Sequence, residues 1–209
     1  MPSRAITKPT IYGSSISGNC LKAKWVADFL RIDHDWVEID ILAKESRTPD
    51  FLDMSPAGQV PVLRVVAGGS VDQSNAIMLY FAEGTDSDLI PNNRLKRAEM
   101  MSWLFWEQYS HEPTIAVRRF RKAYLGLPDE EIDPELFTKG YAALQRMENQ
   151  LDGQDWLCGS RMTLADIALV AYTRVAHEGG FDLTPYPNVT EWIEQTEDAL
   201  GISHARKEL

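Results

Sequence analysis

Residues 55–83 read Ser55-Pro56-Ala57-Gly58-Gln59-Val60-Pro61-Val62-Leu63-Arg64-Val65-Val66-Ala67-Gly68-Gly69-Ser70-Val71-Asp72-Gln73-Ser74-Asn75-Ala76-Ile77-Met78-Leu79-Tyr80-Phe81-Ala82-Glu83. Val60–Val66 is rich in β-branched residues and predicts a strand. Pro61 offers no N–H to a ladder, so it belongs at the start of that strand. Gly68-Gly69 turns the chain into a short strand near Val71. Ser74–Ala82, apolar at Ala76, Ile77, Met78, Leu79 and Phe81, predicts a helix.

Upstream, Ala5–Tyr12 reads as a strand and Gly13–Gly18 as a loop. Cys20–Leu30 reads as an amphipathic helix and Trp36–Ile41 as a second strand. The polar stretch Lys44–Asp50 leads to a helical turn near Phe51–Met54. The order is βαβ followed by ββα, which predicts a small mixed sheet with helices on its faces.

Gly84, Asp86, Ser87, Asp88, Pro91, Asn92 and Asn93 crowd the next segment, so residues 84–94 read as a linker between a domain at 1–83 and one at 95–209. Strand signals then stop. Leu95–Tyr124 has a long helical pattern that Pro113 must bend or break. Pro134–Leu151, Thr163–His177 and Asn188–Ala199 predict further helices, with Gly179-Gly180 closing the second of these. Thr163 and Asp166 have capping-box spacing, and Met162 and Ile167 fit the accompanying hydrophobic staple. The expected architecture is an α/β domain followed by an all-helical one.

Among 209 residues, 31 are acidic and 21 basic, for a net charge of −10. Residues 1–83 carry 8 basic and 10 acidic side chains, and residues 84–209 carry 13 and 21. Such a chain repels phosphate backbones, so no nucleic-acid partner is expected. The near-neutral first part is the better host for an anionic ligand. Two cysteines, Cys20 and Cys158, do not make a zinc site and read as reduced thiols of a cytoplasmic protein. No metal, signal peptide or membrane span is expected.

Other chemistries find little support. Ser14, Ser15 and Ser17 follow a strand, and four histidines are present, but the G-x-S-x-G spacing of a nucleophile elbow is missing. His111-Glu112 lacks the second histidine of a zinc-protease helix. Gly68-Gly69 has no helix start at dinucleotide-binding spacing. The basic cluster Arg118, Arg119, Arg121 and Lys122 reads as a solvated helix end complementing the dipole.

Three elements converge in a βαβ–ββα sheet: Ser17-Gly18-Asn19-Cys20 at a helix start, Gln59-Val60-Pro61 at a strand start, and Gln73-Ser74 at a second helix start. A helix N-terminus carries unpaired N–H groups and about half a positive charge, and so favours an anion. A thiolate beside Ser17 would gain that field and a hydroxyl hydrogen bond. A cis bond before Pro61 would turn Val60 outward toward an extended peptide. Ser74 suits a carboxylate, and Gln73 an amino group or carboxylate. Ser14, Ser15 and Asn19 lie close enough to replace Ser17, and Cys20 fits either a packed helix residue or a thiol able to form a mixed disulfide.

Residues 17–83 resemble the N-terminal domain of cytosolic glutathione transferases. The resemblance lies in Pro49-Asp50-Phe51-Leu52, in Ser55–Leu63 and in Gln73–Phe81. Trp156-Leu157-Cys158-Gly159 with Thr163–Ala168, and Pro187-Asn188-Val189 with Trp192, resemble the family's second domain, so the likeness spans nearly the whole chain. It is of the bacterial kind with a serine-type site, as in the theta, phi and delta classes. It implies a thioredoxin-like N-terminal domain, an all-helical second domain, a homodimer, and cytoplasmic detoxification with glutathione as co-substrate.

Carried over, Ser17 stabilises the glutathione thiolate, and Val60 with Pro61 binds the cysteinyl backbone. Gln73 and Ser74 bind the γ-glutamyl group, Gln73 standing where glutamate is usual, and Gln59 and Arg47 lie toward the glycyl carboxylate. A small hydrophobic electrophile would bind between the domains, near Tyr109 and His111. The same fold also leaves open a glutathione-dependent reductase, peroxidase or isomerase, with Cys20 as a redox thiol, and a non-catalytic binding module.

Overall fold

The computed structural model describes residues 7–205, so Ala5 and Ile6 of the expected first strand lie outside the described residues. The chain divides after Ser87 into two compact units.

The first unit runs β1 (Thr10–Gly13), α1 (Gly18–Phe29), β2 (Asp35–Glu38), α2 (Pro49–Leu52), β3 (Val62–Arg64), β4 (Ser70–Asp72) and α3 (Ser74–Glu83). The sheet order is β2-β1-β3-β4, with β1 parallel to β2 and β3 antiparallel to both β1 and β4. Two-residue alternation sorts its side chains. Tyr12 pairs with Val62, and both join Ile39 and Phe51 in a cluster on the α2 face. Ile11 pairs with Leu63, and both point to the opposite face, covered by α1 and α3 through buried Ala23, Val26, Ile77, Met78 and Phe81. This is the small mixed sheet that the βαβ–ββα order predicts, in the thioredoxin-like arrangement that the resemblance implies. β3 is shorter than the expected 60–66, because the chain straightens into the ladder only after Pro61 and leaves it for the Val65–Gly69 turn.

Gly13 cannot carry a side chain. A Cβ there would lie 2.6 Å from Cη2 of Trp36 and 3.0 Å from Cβ of Cys20. The missing side chain lets the Trp36 ring and α1 close over the end of β1.

The second unit is helical: α4 (Arg94–Trp106), α5 (Glu112–Arg119), α6 (Pro134–Leu151), α7 (Leu164–Thr173) and α8 (Pro187–Leu200). All ten residues of α7 are buried, so the other helices pack around it, as expected of a helix apolar on every side. Asp166 and Thr163 form the capping box: the Thr163 N–H donates to Asp166 Oδ2 at 2.8 Å and the Ala165 N–H to Thr163 Oγ1 at 3.2 Å. Asp166 Oδ1 also accepts the Leu157 N–H at 2.9 Å and the Trp192 indole N–H at 3.0 Å, which ties α8 to the cap.

Pro113 neither breaks nor sharply ends the long helix. Residues 107–111 widen into a π-turn just before it, and the helix continues as α5. Thr114 Oγ1 lies 3.1 Å from the Ser110 carbonyl and 2.9 Å from that of His111, tying the residue after the proline back to the π-turn. The helix expected over Thr163–His177 ends at Thr173, and a separate short turn, Ala176–Gly179, is closed by Gly180 at φ +86°.

The reading of Arg118 and Arg119 as a solvated helix end is corrected, since both are buried. Arg118 donates to the Gly179 carbonyl at 2.8 Å and to Asp129 at 2.6 Å, and stacks over Phe137. Arg119 donates to Glu178 at 2.6 Å and to the Tyr124 hydroxyl at 2.7 Å. Among the described residues no helix is long and apolar enough to cross a membrane, and no group of three or more His, Cys, Asp or Glu side chains could hold a metal ion.

Candidate functional site

Strand register brings the three sequence elements together. Tyr12 at the end of β1, Val62 at the start of β3 and Asp72 at the end of β4 lie in one row across the sheet. The loop into α1, the Val60–Pro61 bond and the start of α3 therefore leave the sheet at the same edge. The two helix starts meet directly, with the Ser74 hydroxyl donating to Asn19 Oδ1 at 3.2 Å.

Ser17 is the N-cap of α1, in extended conformation, and its side chain does not cap the helix. Its N–H closes a turn onto the Ser14 carbonyl at 3.0 Å, and its carbonyl accepts the Cys20 and Leu21 N–H groups. Its side chain hydrogen-bonds the Cys20 thiol. The neighbouring serines are committed elsewhere. Ser15 donates to Glu38 Oε1 through its N–H at 2.8 Å and its hydroxyl at 3.1 Å, and the Ser14 hydroxyl reaches the same oxygen at 3.5 Å.

The Trp36 indole N–H donates to Glu38 Oε2 at 2.8 Å. Burial pushes the Glu38 carboxyl up, but the bonds from Ser15, Trp36 and Ser14 outweigh it and hold the group below its ordinary value.

Cys20 is fully buried, and burial pushes its thiol to about 11 despite opposing contacts from Ser17 and Ser14. At neutral pH that leaves on the order of one molecule in ten thousand as thiolate, the species a redox thiol needs.

The Val60–Pro61 bond is cis. The Val60 N–H and C=O find no hydrogen-bond partner among the described residues. Gln73, the N-cap of α3, sits at φ +67° and ψ 114°, a left-handed setting that costs a non-glycine residue about 1–3 kcal/mol and clusters at binding sites. Ser74 is buried at the first turn of α3, whereas Gln59 and Gln73 are exposed. Arg47 donates to the Ala57 carbonyl at 2.9 Å, and its guanidinium lies so close to Gly58 that a Cβ there would be 2.5 Å from Nη1. Arg47 thus braces the turn that delivers Val60 and Pro61.

The two residues expected beside a second substrate differ sharply. Tyr109 is 87% exposed, whereas His111 is wholly buried. His111 Nε2 lies 2.9 Å from Thr173 Oγ1, which itself donates to the Leu169 carbonyl, so the imidazole is the donor. His111 is a core residue of the helical unit and presents no face to a ligand.

Sequence reasoning missed Glu38 and Trp36. Only the parallel pairing of Gly13 with Glu38 brings them beside the Ser14–Ser17 loop, and no local pattern announces that pairing.

Residues 16–83 match the family model described as the glutathione S-transferase N-terminal domain, and residues 102–198 match the glutathione S-transferase C-terminal domain. A glutathione S-transferase from Pseudomonas fluorescens Pf-5 is 41% identical; the match covers 91% of this chain and 95% of that one, with a TM-score of 0.87. One from Xanthobacter autotrophicus Py2 is 40% identical over 96% of this chain and all of that one, at 0.86. A possible glutathione S-transferase from Rhodopseudomonas palustris is 38% identical over 95% and 98%, also at 0.86. The chain belongs to the glutathione S-transferase family.

Proposed function

We propose that this chain conjugates glutathione to small apolar electrophiles, with the glutathione thiol ionising beside Ser17. The observation that carries the reading is the unpartnered backbone of Val60 at the edge where α1 and α3 begin. It offers one donor and one acceptor to an extended peptide, as a strand edge does. The γ-glutamyl end would lie over Gln73 and the N–H groups at the start of α3. The glycyl carboxylate would lie toward Gln59, with Arg47 behind it holding the turn.

The cysteinyl sulfur then reaches the start of α1. The helix field favours the thiolate over the thiol, and the Ser17 hydroxyl, which meets the Cys20 thiol in the free chain, would add a hydrogen bond on turning toward the ligand sulfur. The thiol proton leaves to solvent. The sulfur lone pair forms a bond to carbon of the electrophile, whose leaving group departs with its electron pair. The protein's contribution is anion stabilisation and placement of the two reactants. Exposed Tyr109 is offered as a contact for the apolar substrate, and the burial of His111 removes it from that role.

The expected result is that Ser17→Ala lowers kcat with glutathione and an activated aryl halide by roughly tenfold to a hundredfold, the worth of one hydrogen bond to a charged group. The glutathione Kd should move less than threefold. Unchanged turnover would remove Ser17 from the mechanism.

A reductase using Cys20 is disfavoured by the buried, high-pKa thiol, and Cys20→Ala is expected to retain conjugation. The reading includes a homodimer in the cytoplasm. Sedimentation equilibrium should give twice the chain mass, and a monomer at micromolar concentration would refute that part.

A further inference from the structure

We propose that Glu38 is a positioning residue for the Ser17 hydroxyl; this rests on the Ser17 reading above. Glu38 ends edge strand β2 and pairs with Gly13, the last residue of β1. The chain then has only four residues, Ser14–Ser17, in which to leave the sheet and start α1. One carboxylate holds that segment. Oε1 accepts from the Ser15 N–H at 2.8 Å, the Ser15 hydroxyl at 3.1 Å and the Ser14 hydroxyl at 3.5 Å. Oε2 accepts from the Trp36 indole at 2.8 Å, and the Trp36 ring lies against the open face of Gly13.

The turn is closed on its other side by the Ser17 N–H donating to the Ser14 carbonyl at 3.0 Å. The position of Ser17 is therefore set two residues after an amide fixed to Glu38. Misplacement of a catalytic group by about 1 Å can cost on the order of a hundredfold in rate.

The charge of Glu38 cannot be what helps catalysis. A carboxylate near the start of α1 opposes a thiolate there. Its use lies in its acceptor geometry, since no neutral side chain of the same length offers two acceptor oxygens. This separates positioning from electrostatics. Glu38→Ala removes all four bonds and frees the loop. Glu38→Gln removes the charge and keeps one acceptor oxygen, which can hold Ser15.

The test is steady-state conjugation of an activated aryl halide with glutathione, with pH profiles of kcat/KM, in the full-length chain. Four variants are compared: Glu38→Ala, Glu38→Gln, Ser17→Ala and the double variant Glu38→Ala/Ser17→Ala. Glu38→Ala is expected to lower kcat about tenfold and to raise the lower inflection of the pH profile by about one unit. KM for glutathione should change less than threefold. Glu38→Gln should recover at least half of the lost kcat. In the Ser17→Ala background, Glu38→Ala should have no further effect on kcat, because the hydroxyl it positions is gone.

A merely structural role would lower activity equally in both backgrounds and leave the inflection in place. That additive result overturns the proposal, as does a Glu38→Ala enzyme with unchanged kcat and inflection while Ser17→Ala is impaired. If Ser17→Ala itself is unimpaired, the Ser17 reading fails, and the positioning role fails with it.

Discussion

Replacing Asp166 with alanine removes the acceptor around which the helical unit is tied. Its two carboxylate oxygens take four donors: the Leu157 and Trp192 N–H groups at Oδ1, and the Thr163 N–H and hydroxyl at Oδ2. The residue is fully buried, so water does not readily replace it. The Thr163 hydroxyl can rotate to another acceptor. The three N–H groups cannot, and each buried donor left without an acceptor costs about 1–3 kcal/mol. The loss of the reciprocal bond to the α7 cap is contained in the Thr163 share.

The expected destabilisation is therefore roughly 3–9 kcal/mol, a large part of the ~5–15 kcal/mol that holds a typical domain. Asp166→Asn keeps one acceptor oxygen for Leu157 and Trp192 but turns an amide toward the Thr163 donors, so it should lose roughly half as much. Urea unfolding followed by far-ultraviolet circular dichroism gives the midpoint and slope for each variant. A Asp166→Ala midpoint equivalent to less than about 1 kcal/mol of loss would show that the four contacts are replaceable, and would refute the reasoning.

Three further outcomes follow from the same geometry. Gly13→Ala should lower stability by at least about 2 kcal/mol in thermal unfolding and reduce turnover, because the new Cβ enters the Trp36 ring space. Arg119→Met removes one partner of the half-buried pair with Glu178 and should cost roughly 1–2 kcal/mol in the same assay.

For pH, the sign follows from the lowered carboxyl of Glu38. Its bonds stabilise the native loop above the ordinary value of 4.5, and that contribution disappears as pH falls through the lower native value. The Trp36 indole N–H resonance should therefore titrate with a midpoint below 4.5. A midpoint at or above it would remove the hydrogen-bond account of Glu38.

Much of the first unit was legible because its elements change period abruptly, and each change carries a residue with a fixed backbone demand. Pro61 marked the start of β3, Gly68-Gly69 the turn into β4, and Gln73-Ser74 the start of α3. Pro61 and Gln73-Ser74 are also parts of the proposed site, which is why those parts could be read from one strand order.

What stayed hidden depends on partners distant in the chain. The burial of Arg118 and Arg119 follows from Gly179, Glu178 and Asp129, and nothing in the run Arg118–Lys122 distinguishes it from a solvated helix end. The interior place of His111 follows from Thr173, sixty-two residues on. The π-turn at 107–111 was not readable either, because Pro113 permits a kink, a break or a wider turn, and local packing selects among them. Glu38 belongs to this group, since its partners come from β1–α1 only through sheet register.

The most direct measurement is an ultraviolet difference titration of the glutathione sulfur bound to the wild-type chain and to Ser17→Ala. In the wild type, ionisation should occur at least one pH unit below the ~8.5 of a free cysteine thiol. It should move back up by about one to two units in Ser17→Ala, matching the worth of one hydrogen bond to an anion. A bound sulfur that ionises at the same pH in both proteins would contradict the claim that this hydroxyl holds the thiolate.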